Sequence, residues 1–375
     1  MGCNDAAPAF THFHTTFKDN YNQTFPVKRT KISYKNRKCW LTAGLKKSIK
    51  RKNKLFYKMK KSPTQINIES YKQYRSKLNW TLRSAERQYY EKLFNDYKNN
   101  MKKTWSIIKD VINKKSTNTS PNFIKSHDQD ITDKQKIADT FNKYFVGIGR
   151  SLANSIPQTD KDPKSYIKSS SPNSIYLKPV TEQEVKTIII NLKNSAAGWD
   201  GISAQIIKQF YSLYIKPLCH TLNLSITQGM FPNELKVAKV SPLFKNGSKF
   251  KVDNYRSVSI LSIFSKILER LMFNRLINFI NKHRILYPCQ FGFRKHHATF
   301  MAVTYLIDKI VTSMDKGEYT LGVFLDFSKA FDTINHDILF TKLECYGIRG
   351  LANDWIRSYV SNMLVLMVWN PQNLR

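Results

Sequence analysis

The spacing of apolar residues in the first third of the chain predicts two long helices in series. Apolar positions recur every three or four residues in two runs, which is the period of a helix with one packed face. The first run consists of Leu45, Ile49, Phe56 and Met59, and the second of Tyr71, Tyr74, Leu78, Leu82, Ala85, Tyr89 and Leu93. Ser62 and Pro63 should end the first helix, and the second should begin near Thr64.

Two further helix starts are predicted in the middle of the chain. Thr132 with Gln135, and Thr181 with Glu184, have the spacing of a capping box, and an apolar helical pattern follows each pair. Residues 116–122 and the Ser-, Pro- and Lys-rich stretch 151–174 lack periodicity, so we expect surface loops there.

The second half of the chain alternates between two periods. Short apolar runs at 237–244 and 319–327 are typical of strands, whereas 263–281 and 299–314 have helical spacing. Strands that alternate with helices in this way predict an α+β fold.

The net charge of the chain indicates what kind of partner it binds. The chain of 375 residues carries 61 Lys and Arg against 27 Asp and Glu, a net charge of +34, which is far more than solubility requires and indicates a polyanionic partner. Its aromatic content of 13% adds stacking surfaces, which favours nucleic acid over a lipid surface. No apolar run approaches the ~18 residues that a membrane span needs, so no membrane partner is predicted.

The basic charge is concentrated near the amino terminus. Residues 28–61 contain fifteen Lys or Arg and no acidic residue. Two interpretations stay open: a solvated face on a structural helical arm, or a surface that binds phosphates, for which the candidates are Lys46, Lys47, Lys50 and Arg51.

Cysteine and histidine positions do not indicate a metal site. The five cysteines are scattered without a Cys-x-x-Cys pair, and the neighbouring His296 and His297 point to different sides of a helix. Since no secretory signal is recognisable, we expect a reducing intracellular compartment, either nucleus or cytoplasm.

One carboxylate stands at a position suited to chemistry. The apolar run 321–325 ends in Asp326, and a rigid strand that presents an acid at its end is a common way to place a metal ligand. A capping role is the alternative for Asp326, and Asp332, which precedes Thr333 and a helical stretch, is a second capping candidate.

Residues 324–332, FLDFSKAFD, resemble the first palm motif of reverse transcriptases from jockey-like non-LTR retrotransposons. Other motifs of that family have counterparts in the expected order. These are 196–202 (AAGWDGI), 240–245 (VSPLFK), 254–261 (NYRSVSIL) and 290–299 (QFGFRKHHAT). The resemblance extends from about Thr181 to Ser361, and the glycines of the first of these motifs are suited to a tight turn.

The resemblance implies the fingers and an incomplete palm of a right-hand polymerase, preceded by a basic helical linker. The implied regions are 1–120 for the linker, 121–180 for a helix and flexible loop, 181–315 for the fingers and 316–375 for the incomplete palm. Implied partners are an RNA template, a DNA primer and deoxynucleotides; the oligomeric state stays open.

The resemblance also implies roles for particular residues. In this family two Mg²⁺ ions catalyse nucleotidyl transfer, so Asp326 and the Phe327 carbonyl would be metal ligands. Lys245 and Arg256 would reach the incoming triphosphate, unless they are solvated loop charges. Phe331 would crowd a ribose 2′-hydroxyl, unless it is a core aromatic. By the same resemblance, Arg294 and Lys295 would meet template or primer phosphates.

The chain also departs from the family pattern. The second palm motif, a Tyr followed by paired aspartates, is expected after Ser361 but is not found up to Arg375. We therefore expect a truncated polymerase fragment that is inactive alone. Two alternatives stay open: a non-catalytic RNA- or DNA-binding protein, and a relic whose product barely folds because the apolar stretch near Val365 is left exposed.

Overall fold

The computed structural model describes residues 4–26, 38–112, 123–126, 129–157, 160–167, 170–327 and 329–367. The chain divides into two compact units, one formed by Lys28–Thr119 and the other by Met1–Val27 together with Ser120–Arg375. The predicted linker of residues 1–120 is therefore wrong at its start, because the first helix buries Phe10 in the core of the larger unit.

Helices outnumber strands in the described part of the chain. The helices are α1 (Ala6–Thr24), α2 (Ala43–Lys61), α3 (Gln65–Asp96), α4 (Met101–Val111), α5 (Lys134–Asn154), α6 (Glu182–Asn191), α7 (Ala204–Thr227), α8 (Ile263–Lys282), α9 (Thr299–Asp315), α10 (His336–Cys345) and α11 (Leu351–Val360). The strands are β1 (Ile124–Ser126), β2 (Gln129–Ile131), β3 (Val237–Phe244), β4 (Tyr255–Ile260) and β5 (Leu364–Met367). The mixture confirms an α+β protein.

The smaller unit contains α2, α3 and α4. The predicted pair of basic helices is confirmed, with the break at Ser62 and Pro63. The apolar stripe of α3 is the half-buried side of that helix, and Phe56 of α2 lies against Tyr71 with ring centroids 5.4 Å apart. Among the described residues of this unit, the buried apolar side chains are Trp40, Leu78 and Ile107, so its core is thin.

The larger unit is built around helices α1, α6, α7, α8 and α11. Phe264 of α8 is fully buried at their centre. Its ring meets those of Phe13 and Phe17 of α1 edge-on, at centroid distances of 5.3 and 5.2 Å. Aromatic pairs prefer this edge-on geometry and are stabilised by it. The rings of Phe13 and Phe17 therefore hold α1 against α8.

A three-stranded sheet with the order β4-β3-β5 lies beside this core. β3 pairs with β4 in antiparallel register and with β5 in parallel register. The predicted strand 237–244 is confirmed, and its burial alternates, with Ala238 and Val240 buried. Side chains at odd-numbered positions therefore lie on the more open face of the sheet.

Residues 319–327 are the main disagreement with the sequence prediction. They form no strand, and their large apolar side chains are 75–105% exposed. A strand needs a neighbour to accept its backbone hydrogen bonds, and in the described part of the chain no strand pairs with this stretch. The strand prediction for 319–327 is therefore wrong for this structure.

Of the predicted caps at Thr132, Thr181 and Asp332, the structure confirms the one at Thr181. The Thr181 hydroxyl accepts from the backbone N–H of Glu184 at 3.2 Å, as predicted. At α5 the cap is Asp133 rather than Thr132, and its carboxylate accepts from the N–H of Lys136. Asp332 is not the cap of the next helix, because α10 begins at His336 with Asn335 as its N-cap. Asp and Asn are stronger caps than Thr, which explains the shift at α5.

None of the helices in the described ranges is long and apolar enough to cross a lipid bilayer.

Candidate functional site

Lys245 and Arg256 lie on the same face of the β3–β4 hairpin. Arg256 is directly opposite Leu243, and Lys245 comes directly after the last residue of β3. Because the Lys245 N–H still bonds to the Asn254 carbonyl at 2.8 Å, Lys245 is the diagonal neighbour of Arg256. Both side chains are exposed. The structure thus brings together the two cations that the resemblance assigns to a triphosphate.

The loop between these strands is fixed by hydrogen bonds to its own backbone. The N–H of Lys245 donates to the carbonyl of Asn254 at 2.8 Å, and the side-chain amide of Asn254 donates to the Ser248 carbonyl at 2.9 Å. Gly247 has a φ of 81°, a region that favours glycine. Two hydrogen bonds and one glycine therefore hold Lys245 at the end of its strand.

Asp326 lies in the unpaired stretch 319–327, and its side chain is exposed. Within the described ranges, no group of three or more His, Cys, Asp or Glu side chains is close enough to hold a metal ion. Asp326 and the Phe327 carbonyl alone do not make the two-ion centre that the resemblance implies, because such a centre needs several carboxylates. The described residues therefore do not fit that centre.

The turn that follows Asp326 is anchored, in contrast to Asp326 itself. The Lys329 ammonium donates to the Tyr144 hydroxyl of α5 at 2.6 Å and stands 4.4 Å from the centre of that ring. A side chain on Gly149 would overlap the carbonyl of Asp332, so α5 and this turn meet backbone to backbone. One end of the motif is thus tied to α5.

Phe331 is 75% exposed, so the alternative of an ordinary core aromatic is wrong. Its ring meets the ring of Phe293 edge-on at 5.9 Å. This contact joins the block 290–299 to the motif 324–332. Arg294 is half-buried, with its guanidinium donating to the Gln290 carbonyl at 3.4 Å, and Lys295 is exposed.

In the smaller unit, Lys46, Lys47, Lys50 and Arg51 are all exposed on α2, a helix that contains no acidic residue. The Arg51 guanidinium lies 5.4 Å from the ring centre of Tyr74 on α3. Residues 28–119 carry 27 Lys and Arg against five Asp and Glu, and so hold most of the charge of the chain.

A cluster of cations between α6 and α8 is not recognisable from the sequence. Lys193, Lys266 and Arg270 line one cavity of about 790 Å³. Lys266 and Arg270 are four residues apart and so share one face of α8, which is the signal that the sequence offered. Lys193 follows α6, far away in sequence, and no periodicity links it to the other two.

The motif 196–202 has a structural role that the sequence showed only in part. Gly201 has a φ of 75°, which confirms the predicted tight turn. Asp200 is buried, accepts from the N–H of Ile202 at 3.2 Å, and has its other oxygen 3.9 Å from Nε2 of the buried His14 on α1. The motif therefore helps to seat α1 on the core.

Comparison with known proteins finds similarity in the second half of the chain. Residues 244–374 match the family described as reverse transcriptase (RNA-dependent DNA polymerase). Over 173 residues the chain is 33% identical to the probable RNA-directed DNA polymerase from transposon BS of Drosophila melanogaster. The aligned region covers 46% of this chain and 19% of that protein. The chain is 32% identical over 181 residues to the RNA-directed DNA polymerase from mobile element jockey of the same organism, covering 48% and 20%.

A third relative is the probable RNA-directed DNA polymerase from transposon X-element, 30% identical over 168 residues, covering 44% of this chain and 18% of that protein. The chain thus spans about a fifth of the length of these relatives. The matched segment contains Arg256, Phe293, Asp326 and Phe331. Residues 244–374 are thus similar to reverse transcriptases, and just under half of the chain is similar to RNA-directed DNA polymerases of transposons, the mobile element jockey among them.

Proposed function

We propose that this chain supplies the fingers and the first palm motif of a retrotransposon RNA-directed DNA polymerase. The observation that carries the proposal is the β3–β4 hairpin, which holds Lys245 and Arg256 as diagonal neighbours on its open face within the family segment. Two cations on one rigid face stabilise a triphosphate better than two mobile ones, because their positions need no reorganisation when charge moves.

The remaining roles follow from the same proposal. Phe331, set against Phe293, faces the sugar of the deoxynucleotide, and Arg294 and Lys295 contact the phosphates of template or primer. Asp326 and the Phe327 carbonyl would be Mg²⁺ ligands only together with further carboxylates, which the described residues do not supply. The RNA template and DNA primer are the partners.

Equilibrium binding of a fluorescent deoxynucleoside triphosphate to the full chain tests the hairpin assignment. Lys245→Gln and Arg256→Gln should each weaken binding by roughly tenfold, since a hydrogen bond between charged groups contributes about 1.5–3 kcal/mol. Lys251→Gln is the matched control, an exposed lysine next to the same hairpin, and should bind as the unchanged chain does. Equal affinity in all four proteins would refute the assignment.

We further propose that the described residues alone do not catalyse polymerisation. The support is that Asp326 stands in an unpaired, exposed stretch without a carboxylate group around it in the described ranges. With Mg²⁺, a primed RNA template and deoxynucleotides, the purified chain should not extend the primer. Template-dependent extension that Asp326→Asn abolishes would overturn this.

A second function, nucleic-acid binding without catalysis, is favoured by the smaller unit. Its α2 carries nine Lys or Arg and no acid, and eight of these cations are exposed. Phosphate contacts release counterions, so RNA affinity should fall steeply as salt rises. Replacing Lys46, Lys47, Lys50 and Arg51 together by Gln should reduce the salt slope by roughly three to four. If RNA affinity does not change with salt, the basic helices are a solvated face on a structural arm and not a phosphate-binding surface.

A further inference from the structure

The cavity between α6 and α8 has features that the hairpin assignment does not use. It lies within the larger unit and has a volume of about 790 Å³. The residues that matter for its chemistry are Lys193, Ser195, Lys266, Glu269, Arg270 and Phe273.

The charge balance of the cavity favours an anion. Three cations line it against one acid, Glu269. One oxygen of Glu269 accepts from the hydroxyls of Tyr359 at 3.0 Å and Ser265 at 3.2 Å. Burial raises the pKa of Glu269, while the hydrogen bonds from Tyr359 and Ser265 and the charge of Lys266 lower it. The three cations outnumber this one acid, so the charge of the cavity lining favours an anion.

The carboxylates of Glu269 and Asp200 attract the charge of Lys266, but neither forms an ion pair with it in the described part of the chain. The ammonium of Lys266 is 3.0 Å from the hydroxyl of Ser195, a neutral group. Burial lowers the pKa of Lys266, which means that the surroundings do not fully replace the water that its charge has lost. A phosphate beside Lys266, Lys193 and Arg270 would supply that missing negative charge.

The cavity also offers a flat surface for a base. The ring of Phe273 is 47% exposed, and the guanidinium of Arg270 lies 5.3 Å from its centre. Exposed rings and guanidinium planes are the surfaces on which unpaired bases stack. Phosphate-binding cations and a stacking surface therefore occur in one cavity.

We propose that the α6–α8 cavity binds one nucleotide of a single-stranded nucleic acid, with its phosphate at Lys193, Lys266 and Arg270 and its base on Phe273. A paired base is stacked inside its duplex and does not reach such a ring. The proposal requires no polymerisation and involves neither Lys245 nor Arg256, so it stands or falls separately from the triphosphate assignment.

Photocrosslinking locates the bound strand. A single-stranded oligonucleotide that carries 5-iodouracil is irradiated with the full chain, and crosslinked peptides are identified by mass spectrometry. We expect a crosslink in the α8 peptide that contains Phe273. An excess of unlabelled single strand should remove it, whereas duplex of the same sequence should not.

Two variants measure the phosphate and base contributions. Phe273→Ala should weaken binding of a fluorescent single strand about tenfold, and Lys193→Gln should lower the salt slope by about 0.7. The controls are Tyr176→Ala, another exposed aromatic, and Lys282→Gln, an exposed lysine at the end of α8. Residues 28–119 are unchanged in all of these proteins and contribute equally to each.

Three results would overturn the proposal. The first is crosslinking confined to other regions, with both variants binding as their controls do. The second is equal competition by duplex. The third is loss of the Phe273 crosslink on adding a free deoxynucleoside triphosphate at the same nucleotide concentration, which would make the cavity a mononucleotide site instead.

Discussion

Helices α8 and α9 have similar apolar content but opposite surroundings. α8 buries eight residues in the core of the larger unit, among them Phe264, Leu268 and Leu271. α9 buries none, and Phe300 and Met314 are largely exposed. Periodicity thus predicts that a helix forms and which face it offers, but the partner of that face is a separate matter.

The same contrast separates the two strands that the sequence predicted. β3 has neighbours on both sides, whereas 319–327 has none in the described part of the chain. Apolar content is high in both stretches. What β3 has in addition is β4, only ten residues away along the chain and able to pair through a short loop.

The largest effect should come from removing the ring at the centre of the core. Phe264→Ala deletes a fully buried ring that touches Phe13, Phe17 and Tyr214, and should lower the free energy of unfolding by about 3–5 kcal/mol. Phe300→Ala on α9, where the ring is 71% exposed, should change it by less than about 0.5 kcal/mol. Urea unfolding followed by circular dichroism measures both, and a similar loss in both variants would show that α9 is packed after all.

An intermediate effect is expected where backbones touch. A Cβ on Gly198 would come within 2.8 Å of the Ser262 backbone, so Gly198→Ala should destabilise the larger unit by about 1–3 kcal/mol. Gly292, beside the exposed region, has nothing within 4 Å of such a Cβ, and Gly292→Ala should be neutral. Thermal unfolding of the two variants compares them. Equal melting temperatures would contradict the close approach of residue 198 to the start of α8.

A smaller effect is expected at the helix caps. Thr181→Ala removes the hydroxyl that caps α6 and should cost about 1 kcal/mol. Thr187→Ala, at an exposed position inside the same helix, should be neutral or slightly stabilising, because alanine has the higher helix propensity. By comparison, the N-cap of α9 is Ala298, which has no side-chain group to cap the helix. Chemical denaturation measures the free energy of unfolding of the two α6 variants. If Thr181→Ala leaves this free energy unchanged, the hydrogen bond to Thr181 does not contribute to stability.

The parts of the fold that could be predicted are those that depend on the residue pattern within one short stretch of the chain. β3, α8, α9 and the two basic helices follow from period and punctuation, since each depends on residues within one stretch. The contact between Lys329 and Tyr144 joins residues 185 positions apart, and no period reports such a contact. The exposure of 319–327 was missed because an apolar run indicates that burial is favourable, without showing that a partner is present.

The candidate site was predictable to a similar degree. The nearness of Lys245 and Arg256 follows once β3 and β4 pair as a hairpin. The α6–α8 cavity was not predictable, because Lys193 reaches it only through the packing of α6 on α8.

The interpretation of the site depends on the contrast between the fully formed hairpin with Lys245 and Arg256 and the open stretch with Asp326. Amide hydrogen exchange followed by mass spectrometry tests it directly, because exchange reports which backbone groups are hydrogen-bonded. Peptides from β3, β4 and α8 should be protected, and those from 319–327 should exchange at nearly the rate of an unfolded chain. Protection of 319–327 equal to that of β3 would contradict the account.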